Sequence, residues 1–175
     1  MSSLCAGKFP ERRRQGMDYW TGSTSCWLTI CPQTDLLRLR SSFLDPVSSQ
    51  VKVLSAGHGP ILWYQYAADQ FENLEAQGIP LGMIAGVKYS QANQRRLAPG
   101  DMLVLVTDGF YEWEDPSGEQ FGLGRLEVVI RESRDDSAEG VIKQLRAAVE
   151  SFCKGTEQMD DLTAVVLKRN ADLSN

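Results

Sequence analysis

LAPGDMLVLVTDGFYEW, residues 97–113, is the stretch on which the reading of the whole chain depends. Its apolar run 102–106 lies between Gly100 and Asp101 on one side and Thr107, Asp108 and Gly109 on the other. A short continuous apolar run between turn residues predicts a buried strand. That strand delivers the carboxylate of Asp108 to a sheet edge, and Gly109 lets the chain turn away without a Cβ clash. A second acidic site, Asp160 and Asp161 in QMDDLTAVVLK, precedes another apolar run, 162–167. If the two strands are neighbours, their acidic ends converge. Gathered carboxylates are costly in free energy unless a hard cation neutralises them, and oxygen-only ligands favour Mg²⁺ or Mn²⁺.

Outward from this pair, residues 42–44 read as a strand running into a turn at Asp45 and Pro46, with 51–54 alternating after it. This predicts a hairpin. Ala56, Gly57, His58, Gly59 and Pro60 are turn chemistry and predict a second hairpin onto 61–64, hence a three-stranded antiparallel meander. Residues 71–74 suggest a further strand, and 89–96 a polar edge strand preceding the central Asp108 strand. Residues 121–132 turn helical. The clearest helix is 137–154: Asp136 and Glu139 resemble a capping box, Val141, Leu145, Ala148 and Phe152 share one face, and Gly155 stops it. Strands, then helices, then one returning strand give an α+β fold with antiparallel sheet. Residues 1–41 show no sustained periodicity and form a divergent, unassigned leader, with 27–30 as a short strand and 35–39 as a helical turn. The tail 170–175 is polar.

The chain has 175 residues, enough for one domain, with 42% hydrophobic and 23% charged residues and a net charge of −5. The negative balance argues against nucleic acid, and the Arg12, Arg13, Arg14 run reads as a solvated face. No run reaches transmembrane length and no signal-peptide core is present, so the expected compartment is the cytoplasm. Cys5, Cys26, Cys31 and Cys153 lack CxxC spacing, and His58 is the single histidine, which disfavours zinc and predicts reduced structural thiols.

Taken in order, SAGHGPILWY, GIPLGM, LAPGDMLVLVTDGFYEWEDPSGEQFG and DDLTAVVLK resemble the SpoIIE-type serine phosphatases of the metal-dependent protein phosphatase (PPM, type 2C-like) superfamily. The resemblance covers about 42–168, making 42–169 a partial phosphatase-like domain. It implies an αββα sandwich of two antiparallel sheets flanked by helices, here lacking N-terminal elements, and a two-metal Mn²⁺ or Mg²⁺ centre. Asp108 and Asp160 match the family's metal ligands, and Asp161 fills the next position close to the site. The implied reaction is hydrolysis of phosphoserine on a regulatory protein such as an anti-sigma-factor antagonist, by a metal-activated water and without a phosphoenzyme. One feature departs from the pattern: the family's Asp-x-x-Gly-His-Gly motif, which bridges the metals, is absent. Asp18 is nearest by position and does not match, Asp35 fits no better, and Asp45 has a turn to make. The alternative reading is therefore a catalytically degenerate phosphatase-like binding module. Missing elements also leave an uncovered apolar face or open sheet edge, which predicts association as a homodimer or aggregation. His58 is read as structural or substrate-side, Glu112 as a surface carboxylate, and Trp63 and Trp113 as packing.

Overall fold

A computed structural model describes residues 25–31, 38–45, 47–57, 59–76, 78–80, 83–84, 88–89 and 92–170. Among them run β1 (Ser25–Cys31), β2 (Arg38–Asp45), β3 (Gln50–Ala56), β4 (Ile61–Gln65), β5 (Gln70–Asn73), β6 (Asn93–Arg96), β7 (Met102–Val106), α1 (Gly122–Glu132), α2 (Ala138–Phe152) and β8 (Ala164–Lys168). The strands form two four-stranded antiparallel sheets, ordered β1-β2-β3-β6 and β5-β4-β7-β8. Two antiparallel sheets with helices is the class the sequence predicts. Among the described residues no helix is long and apolar enough to cross a membrane.

The chain divides into two compact units. One is built on β4, β5, β7, β8 and both helices, the other on β1, β2, β3 and β6. In the second unit the hairpin β2–β3 forms with Leu44 opposite Val51, and Val51, Val53 and Ala56 are buried. Asp45 makes its turn, accepting from Val47 N at 3.0 Å and Ser48 Oγ at 2.6 Å. The predicted meander does not form. β3 pairs with β2 and β6, whereas β4 belongs to the other sheet and pairs with β5 and β7. The reason is local: Gly57 donates to Gly78 O at 2.7 Å and Ala56 bridges Gly78 in parallel, so the chain leaving β3 is held by 78–80 and does not fold back on its own strand. Gly57 has φ +67, and a Cβ there would lie 2.2 Å from Pro80 Cδ, so glycine is required. β6 is an edge strand as expected, and it lies in the β3 sheet. Arg38 and Leu39, expected in a helical turn, start β2, and β1 contains the short strand expected at 27–30.

In the first unit β7 is buried at every residue, the burial on both faces that its unbroken apolar run implies. Met102, Val104 and Val106 join Leu126 and Ile130 of α1 and Val141, Ile142, Leu145 and Val149 of α2 in one cluster. Full burial of each such side chain contributes about 1.5–3 kcal/mol. The α2 stripe is turned relative to the sequence expectation: Ile142 and Val149 are buried, and Ala148 and Phe152 only partly. The cap also shifts by one residue. Ser137, extended at ψ 160, accepts from Gly140 N at 3.1 Å, and Glu139 pairs with Lys143 on the surface.

At the β7 start, Asp101 is 3% exposed and accepts from Tyr66 N at 2.9 Å and Trp63 Nε1 at 3.3 Å. Nearby, Tyr64 OH and Arg131 Nε donate to Asp69 Oδ1 at 2.8 and 2.9 Å. The Tyr64 hydrogen bond, then that of Arg131, holds Asp69 below its ordinary value of 3.8. A carboxylate lowered on folding stabilises the fold above the unfolded value and loses that contribution as pH falls through the folded one. Asp69→Asn is therefore expected to melt earlier than the parent at about pH 7, with the gap narrowing as pH falls through the acid range, as thermal scans across that range would measure.

Candidate active site

The register of β7 on β8 places Val106 opposite Ala164, so the chain leaves one strand where it enters the other. Thr107, next in sequence, is 2% exposed and ties the two segments together. Its N–H donates to Thr163 O at 3.0 Å, its hydroxyl donates to Asp161 O at 2.7 Å, and the same oxygen accepts from Thr163 N at 3.0 Å. With its hydroxyl satisfied on both sides, Thr107 fixes the backbone on either flank. Sequence reasoning singled out Asp108 and passed over its neighbour; the signal was a polar residue closing an otherwise apolar run.

A tight helical turn, Asp108–Phe110, follows. Asp108 O accepts from Tyr111 N at 3.0 Å and Glu112 N at 2.8 Å, and Phe110, 1% exposed, anchors the turn in the core. Gly109 faces the acidic pair: a Cβ there would lie 2.8 Å from Asp161 O and 3.2 Å from Asp160 O. The two acidic segments thus meet backbone to backbone. Asp108 and Asp160 are half-buried and Asp161 is exposed. Gln158 Nε2 donates to Asp160 O at 2.7 Å. Gly109→Ala is expected to force the segments apart, weakening divalent-cation binding about 10-fold or more while costing about 1–3 kcal/mol of stability. Calorimetric Mn²⁺ titration beside thermal denaturation would measure both.

Glu112 is exposed, as its surface reading requires. Trp63 and Trp113 are half-buried, each donating its indole N–H, to Asp101 and to Thr156 respectively. Cys153 is a buried free thiol, pushed up by burial and secondarily by Asp115. His58, Asp18 and Asp35 lie outside the described residues. Among the described residues no three His, Cys, Asp or Glu side chains are grouped to hold a metal ion. The donor chemistry nonetheless suits a hard cation of the Mg²⁺ type, which keeps several waters and takes one or two carboxylates together with substrate phosphate oxygens.

The sequence pattern of the family described as Stage II sporulation protein E (SpoIIE) matches residues 35–170. The chain belongs to the SpoIIE family. Among its relatives, the phosphoserine phosphatase RsbU of Bacillus subtilis (strain 168) is 34% identical over 122 residues, covering 69% of this chain and 35% of RsbU. The SiaA-PP2C domain of Pseudomonas aeruginosa superposes with a TM-score of 0.66 at 20% identity, over 77% of this chain and 52% of that one. The phosphatase domain of the cell fate determinant SpoIIE from Bacillus subtilis, presoaked with Mn, gives 0.58 at 19% identity, over 76% and 56%. These likenesses establish a PP2C-type fold for the SpoIIE-family chain. It spans about a third of RsbU and about half of the SiaA domain.

Proposed function

We propose that this SpoIIE-family chain is a metal-dependent serine/threonine protein phosphatase acting on a phosphoserine of a regulatory protein, with an anti-sigma-factor antagonist as the substrate class. The observation that carries the reading is the Thr107 clasp, which brings the Asp108 turn against Asp160 and Asp161 in a chain of this family. Asp108 and Asp160 are the residues that would hold Mn²⁺ or Mg²⁺, with Asp161 beside them to order cation and water. When bound, such a cation supplies a Lewis acid for the phosphoryl oxygens and acidifies a coordinated water. The chain's own part is positional: Thr107 fixes both backbones, and Gly109 permits their approach. The name of RsbU, a phosphoserine phosphatase, supports the substrate chemistry, and the Mn presoak of the SpoIIE domain supports the cation class. A cytoplasmic location and self-association through an open sheet edge complete the proposal.

Calorimetric titration with Mn²⁺, followed by phosphate release from a phosphoserine peptide, tests it. Cation binding with turnover supports the phosphatase; neither, from a folded protein, overturns it. The second reading, a phosphatase-like module that binds without turnover, is favoured by the absence of a three-group cluster among the described residues and by the missing Asp-x-x-Gly-His-Gly motif. Retained phosphopeptide binding without hydrolysis would select it.

A further inference from the structure

Beyond Thr107, a second tie joins the same two segments at their outer ends. Trp113, five residues after Asp108, donates its indole N–H to Thr156 Oγ1 at 3.0 Å, and Thr156 lies four residues before Asp160. The Thr156 hydroxyl has two carbonyl acceptors, Cys153 O at 2.7 Å and Glu114 O at 2.8 Å. In return, Cys153 Sγ donates to Trp113 O at 3.5 Å. The loop carrying Trp113 is closed on itself by Phe121 N to Trp113 O at 3.0 Å and Gly122 N to Tyr111 O at 2.9 Å. Trp113 therefore reports the position of a closed loop, and Thr156 that of the α2 terminus.

We propose that Trp113 and Thr156 are positioning residues for the site: their hydrogen bond couples the loop after Asp108 to the segment leading into Asp160, so that the acid pair is held at both ends. This rests on the phosphatase reading for its functional consequence but not for its structural one. The interaction is half-buried and polar: Cys153 O keeps a second donor in Thr156 N at 3.0 Å and Trp113 O keeps Phe121 N, so loss of the Thr156 hydroxyl falls chiefly on the indole N–H. Thr107 closes the inner end of the paired segments and Thr156 the outer end, and the acid residues lie on the stretches between.

The test uses Thr156→Val, which keeps shape and loses the hydroxyl, Thr156→Ser, which restores it, and Trp113→Phe, which removes the indole donor together with part of the ring packed on the core. Amide hydrogen exchange of the metal-free proteins is expected to quicken in both 109–115 and 157–163 for Thr156→Val and Trp113→Phe, and to return toward the parent in Thr156→Ser. Exchange that changes on only one side of the contact would overturn the coupling. Mn²⁺ titration is expected to weaken about 10-fold in Thr156→Val and to recover in Thr156→Ser. Unchanged Mn²⁺ affinity with quickened exchange would overturn the positioning role. A parent protein that binds no Mn²⁺ would remove the phosphatase reading, while the exchange pattern would still decide whether the coupling exists.

Discussion

Asp108→Asn is expected to weaken Mn²⁺ binding by more than about 100-fold, the upper end of what loss of a residue behind the ligands causes. Phosphoserine hydrolysis should fall on the order of 10³-fold, about 4 kcal/mol of barrier. The substitution keeps side-chain shape and leaves every backbone bond of the turn in place, including those from Tyr111 N and Glu112 N to Asp108 O. Its thermal midpoint should therefore stay near that of the parent. Asp160→Asn is expected to behave alike, and Asp161→Asn more mildly, since Asp161 is exposed and enters the clasp through its carbonyl oxygen. Calorimetry and single-turnover kinetics on the three variants measure this ranking. An Asp108→Asn protein with undiminished cation affinity would sink the ligand assignment.

Phe110→Ala carries the largest effect on stability. Phe110 is 1% exposed and belongs to the cluster with Val104, Val106, Leu145 and Val149. Truncating a buried Phe costs about 3–5 kcal/mol, a large part of the roughly 5–15 kcal/mol that holds a domain together. For a chain of this size each kcal/mol moves the midpoint by about 2–4 °C, so a fall of roughly 6–20 °C is expected in differential scanning calorimetry. Phe110→Leu should recover much of it, because a smaller cavity remains. The neighbouring substitutions separate two duties of one turn: the chemistry proposed for Asp108 and the anchorage given by Phe110. A Phe110→Ala protein melting with the parent would show that the turn is held from elsewhere.

The strands flanking the site were legible because their signals are strong and local. The run 102–106 has no polar residue, and Asp160 and Asp161 sit directly before a second apolar run, so adjacency of β7 and β8 was the natural pairing. The failure at residues 56–60 has a different character. Gly57 and Pro60 suit a hairpin as well as a passage between sheets, and only the distant Gly78 and Pro80, which hold Gly57, decide between them. In the same way Ser137 outcompeted Asp136 as the helix cap by backbone geometry that composition does not encode. Thr107 and Thr156 escaped notice because a threonine's importance lies in what its hydroxyl meets, and their partners are 54 and 43 residues away along the chain.

That separation also bears on how the protein is made. A polypeptide emerging from a ribosome exposes β4, β7 and α1 before α2, and α2 just before the segment carrying Asp160 and the strand β8. Domains fold progressively from the N-terminal side during synthesis, yet the register that sets Val106 opposite Ala164 is reachable only after the last strand is delivered. The acid pair is thus brought together in two stages: Asp108 waits while residues 109–159 are added, and its partner segment arrives only then.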